Sequence, residues 1–200
     1  MYDVLIIGGG VAGVSCALIL GSAKNKHFVA DKKIGIITHQ KASSLQQALF
    51  NNAYGIPAGK TGAQLLSESL EQLSMLYPHI DQIPREKVCE IQGSFPEFTV
   101  VTNKNTYKAK AIVVAVGYSD TFNIPGLMQF VEPHPKAVPE KNRIWLRNVD
   151  HKVSDGIYVA GNLAGYRSQL SIAAGSGASV ATDILTEWNN GAHSQSHDKI

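Results

Sequence analysis

The stretch MYDVLIIGGGVAG, residues 1–13, decides the fold of this chain. Its apolar run at residues 4–7 is typical of a strand that is buried on both faces. Gly8, Gly10 and Gly13 then follow the pattern G-x-G-x-x-G, and the chain continues with the apolar content of a helix. The first glycine allows the tight turn, the second lets a pyrophosphate approach the backbone, and the third lets the helix pack closely on the strand. Because the free N–H groups and the positive end of the helix dipole point the same way, the stretch indicates a dinucleotide site.

The composition narrows the class of protein. With 200 residues, 44% hydrophobic and 17% charged, the chain is long enough to bury one sizeable core. The net charge of +2 and the lack of a long basic run give no reason to expect nucleic acid or a membrane surface as partner. Its apolar runs are too short to span a membrane, and the first one has no basic leader of the kind that precedes a signal sequence. The two cysteines, Cys16 and Cys89, form no C-x-x-C, so we expect buried, reduced thiols and a cytoplasmic protein.

The hydrophobic pattern alternates between helix-like and strand-like segments along the chain. It predicts an α/β, Rossmann-like dinucleotide-binding fold with a central parallel sheet, helices on its faces and a small antiparallel β-meander. The predicted helices cover residues 11–22, 62–76 (with Thr61 as N-cap) and 175–188. The predicted strands cover residues 4–7, 34–38, three segments between 88 and 116, 144–146 and 157–160. We expect residues 1–190 to form one domain and residues 191–200 to be a disordered tail.

The second predicted strand ends without the acidic residue that commonly binds the ribose of a dinucleotide. The sequence there reads Thr38-His39-Gln40-Lys41, and Asp31 precedes the strand, so Asp31 is not assigned to the ribose. The ribose is therefore expected on Thr38, on His39 or Gln40, or on backbone groups. His39 is more often a plain surface histidine than a ligand.

Four separated stretches together resemble the FAD-binding part of the thioredoxin reductase-like pyridine nucleotide–disulfide oxidoreductases. They are DVLIIGGGVAG at residues 3–13, FNNAYGIPAGKTGAQLL at 50–66, AIVVAVG at 111–117, and GIYVAGNLAGYRSQLSIAAGSGASVATDIL at 156–185. They are similar, in the family's order, to its FAD pyrophosphate turn, its N-W-P-G-F-P-x-G-I-T-G stretch, its A-T-G element, and its G-D and R-Q-A-x-x-S-A-G-x-G elements. The resemblance covers nearly the whole chain and implies FAD as the cofactor.

The resemblance also implies a set of cofactor-binding residues. Gly161 would let the backbone approach the phosphoribityl chain, and Asn162 would bind a ribityl hydroxyl or a phosphate. The helix that begins near Gln169 would point its N-terminus at the pyrimidine edge of the flavin. For Asn162 and Gln169, ordinary helix capping is the alternative. The full set is Gly8, Gly10, Val11, Ala12, Gly13, Thr38, Lys41, Asn52, Val88 (through its main chain, to the adenine), Ala115, Val116, Gly117, Gly161, Asn162, Gln169, Leu170 and Ser171.

Several departures from the family pattern limit the implied function. The stretch between Gly117 and Gly161 is too short for the family's second, NADPH-binding domain and holds no second glycine fingerprint, and the redox C-x-x-C is missing. Asn162 stands where the family has Asp, and Val116 where it has Thr. The expected protein is a small FAD-binding, oxidoreductase-like flavoprotein without a disulfide redox centre.

Such a flavoprotein would exchange hydride or electrons with a partner protein or a small donor or acceptor. The alternatives are a non-catalytic FAD-binding module, or a subunit of a larger redox assembly, and then a site that prefers NAD. A homodimer is also expected, because family relatives often dimerise. Tyr118, His134 and His151 fall in loops, and no catalytic residue is assigned.

Overall fold

A computed structural model describes residues 1–39 and 43–197. Over those residues it has three α-helices and twelve β-strands. The helices are α1 (Val11–Ser22), α2 (Gly62–Leu76) and α3 (Leu170–Trp188). The strands are β1 (Tyr2–Ile7), β2 (Ile34–Thr38), β3 (Leu49–Phe50), β4 (Lys60–Thr61), β5 (Asp81–Pro84), β6 (Val88–Ser94), β7 (Glu97–Thr102), β8 (Thr106–Val114), β9 (Val131–Pro133), β10 (Ile144–Leu146), β11 (Lys152–Ser154) and β12 (Ile157–Val159).

The central sheet has a parallel core in the order β12-β8-β1-β2-β5. Strand β11 pairs antiparallel with β12 at one edge. Ile7 of β1 lies between Ile37 of β2 and Val114 of β8, and Val114 in turn pairs with Val159 of β12. Because the strands are parallel, their carboxyl ends meet at one edge, which is where ligands bind in sheets of this kind.

The two faces of the sheet are buried under different layers. Val4 and Ile6 point to one face, where they pack with apolar residues of α1 and α3 and with Leu73 of α2. Leu5 and Ile7 point to the other face, which is covered by the β6–β7 hairpin and by loop segments. In the described part of the chain, no helix is long and apolar enough to cross a membrane.

The predicted β-meander is confirmed. Strands β6, β7 and β8 pair antiparallel in sequence, and the carboxyl half of β8 then continues into the parallel core, as expected for residues 111–114. Strand β5 was not predicted, because its sequence Asp-Gln-Ile-Pro is polar and ends in proline, which only an edge strand tolerates. Strand β10 is not part of the central sheet, since it forms a separate hairpin with β9.

Two further details differ from the predictions made from the hydrophobic pattern and composition. Helix α3 begins at Leu170, near Gln169 as the resemblance implied, rather than at residue 175 as the hydrophobic pattern predicted. Cys16 is buried as expected, but Cys89 is exposed, because β6 turns Val88 and Ile91 inward around an irregularity in its pairing. The stretch from residue 191, predicted to be a disordered tail, is described as far as residue 197. Its Ser194 and Ser196 are buried, and Ser22 Oγ donates a hydrogen bond to Ser196 Oγ over 2.8 Å, which ties the tail to α1.

Candidate dinucleotide-binding site

The first glycine corner lies at the carboxyl end of β1. Gly8 has φ +119°, a conformation that favours glycine, and a Cβ there would collide with the carbonyl oxygen of Ala115. A Cβ on Gly13 would collide with the carbonyl oxygen of Gly8, so this third glycine allows α1 to sit against the turn. The predicted roles of Gly8 in the tight turn and of Gly13 in close helix packing are confirmed.

The N-terminus of α1 is open to an anion. Its N-cap is Gly10, which offers no side-chain oxygen to the first N–H groups of the helix, and the first turn has no acidic residue. A Cβ on Gly10 would meet no atom within 4 Å among the described residues. A pyrophosphate can therefore approach the N–H groups of Val11, Ala12 and Gly13 and the positive end of the helix dipole.

The second glycine corner, Gly161–Asn162, follows β12 and lies against the first. Gly161 has φ +76°, and a Cβ on it would lie 3.0 Å from the Cβ of Ala12 in α1. Helix α3 also lies close to α1 at Gly177, since a Cβ there would collide with the carbonyl oxygen of Ala12. The two ends of the sequence thus converge on the first turn of α1.

Residues 115–117 form the third wall of the site at the end of β8. Ala115 is buried and its N–H donates to the carbonyl of Ile7, which holds this segment beside the first corner. Val116 is half-buried and Gly117 is exposed, with open space around its Cα. Three of the four segments that carry the family resemblance are therefore neighbours at one edge of the sheet.

Asn162 carries the feature that most directly indicates a bound ligand. Its Oδ1 atom is buried and has no hydrogen-bond partner among the described residues. A buried carbonyl oxygen without a donor costs free energy, so such groups in native proteins commonly serve a ligand or water. Because this oxygen only accepts hydrogen bonds, it suits a hydroxyl group better than a phosphate at neutral pH.

The capping alternative for Gln169 does not hold. Gln169 is the N-cap residue of α3, but its side chain makes no capping hydrogen bond and is exposed. The first turn of α3, which includes Leu170 and Ser171, has no acidic residue. The positive end of this second helix is therefore also available to a negatively charged group.

The remaining predicted residues lie in different surroundings. Thr38 is buried at the carboxyl end of β2, on the same edge of the sheet as the glycine corners. Val88 is buried at the start of β6. Asn52 lies in an exposed turn, in which Asn51 Oδ1 accepts a 2.9 Å hydrogen bond from the N–H of Gly59. Lys41 and Gln40 are outside the described residues.

Sequence reasoning missed the groups that hold the second corner in place. Ser176 Oγ accepts a 2.8 Å hydrogen bond from the N–H of Gly161, and it lies 3.0 Å from Nε2 of His151. Nε2 of His134 lies 3.1 Å from the carbonyl oxygen of Asn162. Both histidines and Ser176 are buried. The two histidines lie outside the four family stretches, and Ser176 lies inside the fourth, but no spacing in the sequence indicates that the three side chains meet at this corner.

Two glycine corners, two helix N-termini and a parallel sheet define a Rossmann-like dinucleotide-binding domain. The chain belongs to the pyridine nucleotide-disulphide oxidoreductase family, whose model matches residues 2–162. Proteins of this family are FAD-binding flavoproteins, so FAD is the dinucleotide that the fold and the family assign to this site. The unpartnered Asn162 oxygen and the open space at Gly10 fit the ribityl chain and pyrophosphate of that cofactor.

Comparison with individual proteins agrees with the family. The chain is 29% identical over 151 residues to the uncharacterized oxidoreductase CzcO of Bacillus velezensis, an alignment that covers 67% of this chain and 41% of that protein. It is 30% identical over 163 residues to the ferredoxin–NADP reductase of Pediococcus pentosaceus, covering 80% of this chain and 47% of that protein. The chain thus spans less than half the length of these relatives.

A solved structure shows the same fold. The thioredoxin reductase of Gloeobacter violaceus superposes with a TM-score of 0.74 at 16% identity, and the alignment spans 100% of this chain and 99% of that chain. The predicted α/β fold and the pyridine nucleotide–disulphide oxidoreductase family are therefore confirmed.

Proposed function

We propose that this chain is an FAD-dependent oxidoreductase domain that passes hydride or electrons between a donor and an acceptor that approach from outside the domain. The observation that carries the proposal is the buried, unpartnered Asn162 oxygen, which lies where the corner at Gly161 contacts the first turn of α1. When bound, the isoalloxazine supplies the redox chemistry, and the protein sets its position and potential.

Each wall of the site has a part in holding the cofactor. The N–H groups of Val11, Ala12 and Gly13 bind the pyrophosphate, and Asn162 Oδ1 accepts a hydrogen bond from a ribityl hydroxyl. The N-terminus of α3, at Leu170 and Ser171, stabilises negative charge on the flavin ring.

The adenosine end of the cofactor lies toward β2 in this proposal. Thr38 is the described side chain proposed to bind the ribose, because it is buried at the carboxyl end of β2 and carries a hydroxyl group. The main chain of Val88 meets the adenine. Lys41 and Asn52, the latter in the exposed turn before Gly59, complete the proposed set.

The class of electron partner follows from the residues between the segment 115–117 and the Gly161–Asn162 corner. Among the described residues, 118–156 form the β9–β10 hairpin, β11 and loops, with no second glycine-rich strand-to-helix turn. A nicotinamide nucleotide or a small redox protein would then act from solution or from another chain. The Pediococcus relative is named a ferredoxin–NADP reductase, and that name includes one partner of each class, a small redox protein and a nicotinamide nucleotide.

The same observation favours a second candidate function. A domain with neither a second nucleotide-binding unit nor a cysteine pair can also serve as a non-catalytic FAD-binding module, or as one subunit of a larger redox assembly. The two functions differ in whether the bound flavin is reduced by a donor and reoxidised by an acceptor.

The decisive experiment is an absorption spectrum of the purified protein, followed by an anaerobic titration. A flavin spectrum and release of FAD on heating are expected, and Gly13→Val, which fills the contact between α1 and Gly8, is expected to abolish both. Bleaching by NADPH or NADH, with return of colour on adding oxygen, a quinone or a ferredoxin, supports the oxidoreductase. A yellow protein that no donor bleaches supports the module, and a protein that takes up no FAD refutes both functions.

A further inference from the structure

Two buried histidines are linked by hydrogen bonds to the Gly161–Asn162 corner, His134 directly and His151 through Ser176. The N–H of Gly161 donates to Ser176 Oγ over 2.8 Å, and Ser176 Oγ lies 3.0 Å from Nε2 of His151. Nε2 of His134 lies 3.1 Å from the carbonyl oxygen of Asn162. The N–H of Gly161 and the backbone carbonyl of Asn162 thus both have hydrogen-bond partners, while the side-chain oxygen of Asn162 has none among the described residues.

The hydrogen bonds fix which nitrogen of His134 carries a proton. The backbone N–H of Lys136 can only donate, and it points at Nδ1 of His134 over 3.1 Å. Nδ1 therefore accepts, and the single proton of the neutral ring lies on Nε2, from which it is donated to the Asn162 carbonyl. A second proton on this ring would put two donors face to face at Lys136.

His151 differs, because its partner is a hydroxyl group, which can both donate and accept. While the ring is neutral and Nε2 is unprotonated, Ser176 Oγ accepts from the N–H of Gly161 and donates its own proton to Nε2 of His151. A proton on Nε2 reverses that bond, so that Ser176 Oγ accepts from both Gly161 and His151 and its own proton must turn to another acceptor.

We propose that His134 and His151 are positioning residues that hold the Gly161–Asn162 corner in its cofactor-binding shape only while both rings are neutral, so that acidification loosens FAD. This proposal rests on the proposed function, because it takes the corner to be part of the FAD site. It makes cofactor retention depend on pH through two groups that need not touch the cofactor.

The charges around His151 come from two elements. Asp150 precedes it in the same turn, and Asp183 faces it from α3; both carboxylates favour a protonated ring. Burial acts against them and is the larger influence, so the pKa of His151 lies below its ordinary value. The Tyr166 ring, with its centroid 5.4 Å away, covers another side of the imidazole. His151 is therefore neutral at pH 7, the state that the corner needs.

The surroundings of His134 are cationic and aromatic. Tyr118 contacts its ring edge-on, with centroids 5.4 Å apart, and the guanidinium carbon of Arg143 lies 5.0 Å from the centroid of the Tyr118 ring. Lys136 is two residues along the chain.

The test is the dissociation constant of FAD measured by flavin fluorescence between pH 8 and pH 5.5 on the full chain. If binding requires a ring to be neutral, linkage raises the dissociation constant by up to tenfold per pH unit below the pKa of that ring. The wild type is expected to weaken most steeply, His134→Gln and His151→Gln each less, and the double variant to show a flat profile. Glutamine keeps an amide near each partner but does not titrate in this range. His27→Gln, at an exposed histidine, is the matched control and should keep the wild-type profile.

A second readout needs no FAD. Hydrogen exchange of the Gly161 amide, followed by NMR on the protein alone, is expected to be slow at pH 8, faster in Ser176→Ala, and to lose more protection on acidification in the wild type than in the double variant. A pH-independent wild-type affinity, or equal slopes of affinity against pH in the wild type and the double variant, would overturn the proposal. If no FAD binds at any pH, the proposed function fails, and the amide measurement still decides whether the histidines hold the corner.

Discussion

Two glycines in α3, two positions apart, allow a direct test of how the site is assembled. A Cβ on Gly177 would collide with the carbonyl oxygen of Ala12 in α1, whereas a Cβ on Gly175 would meet nothing within 4 Å among the described residues. Alanine substitution at either position brings the same gain in helix propensity, up to about 1 kcal/mol. The difference between the two variants therefore isolates the contact between α3 and α1.

We expect Gly177→Ala to destabilise the fold by about 1–3 kcal/mol, the usual cost of overpacking a tight contact. The collision is with backbone, so the helices must separate for the methyl group to fit. For a chain of this length that lowers the thermal midpoint by roughly 2–12 °C, since about 1 kcal/mol corresponds to 2–4 °C. Gly175→Ala, in contrast, should raise the midpoint by about 1–4 °C.

Thermal unfolding followed by circular dichroism, with and without added FAD, measures both variants. Because Ala12 contributes to the first turn of α1 and faces Gly161, Gly177→Ala should also weaken FAD binding. Equal midpoints for the two variants, or a more stable Gly177→Ala, would refute the claim that α1 and α3 touch backbone to backbone at the site.

Three further changes test other parts of the structure. Asn162→Leu removes a buried oxygen that has no hydrogen-bond partner in the described part of the chain, so stability should hold or rise while FAD affinity, by titration, falls about 2- to 12-fold, the value of one neutral hydrogen bond. Thr61→Ala removes the capping box that Thr61 forms with Gln64 at the start of α2; denaturant unfolding should show a loss of about 1 kcal/mol with FAD affinity unchanged. Burial raises the pKa of Glu86, but hydrogen bonds from three neighbouring side chains outweigh it and hold the pKa below its ordinary value of 4.5. Its contribution to stability is therefore complete above pH 4.5 and is lost as pH falls through the lower folded-state value, so Glu86→Gln should flatten stability against pH in that acidic range.

The sequence was sufficient wherever a local rule acts within one segment. The G-x-G-x-x-G spacing predicted the roles of Gly8 and Gly13, and Thr61 as an N-cap residue predicted the N-terminus of α2. The failures occurred where local signals are weak. Strand β5 is polar and depends on pairing with β2, and Cys89 points outward because of an irregularity in the β6–β7 pairing. The hydrogen bond between Ser22 and Ser196, 174 residues apart, likewise has no local signal in the sequence.

The sequence by itself determined the class of fold, because glycine spacing and buried parallel strands are dictated by backbone sterics that act over a few residues. Its resemblance to the family implied the cofactor. Only the tertiary structure decided how the second corner is held. His134, His151 and Ser176 come from three separate segments, and they meet at Gly161 and Asn162 because Gly177 lets α3 approach α1. Contacts of that kind depend on how whole elements pack, and no periodicity or motif along the chain records them.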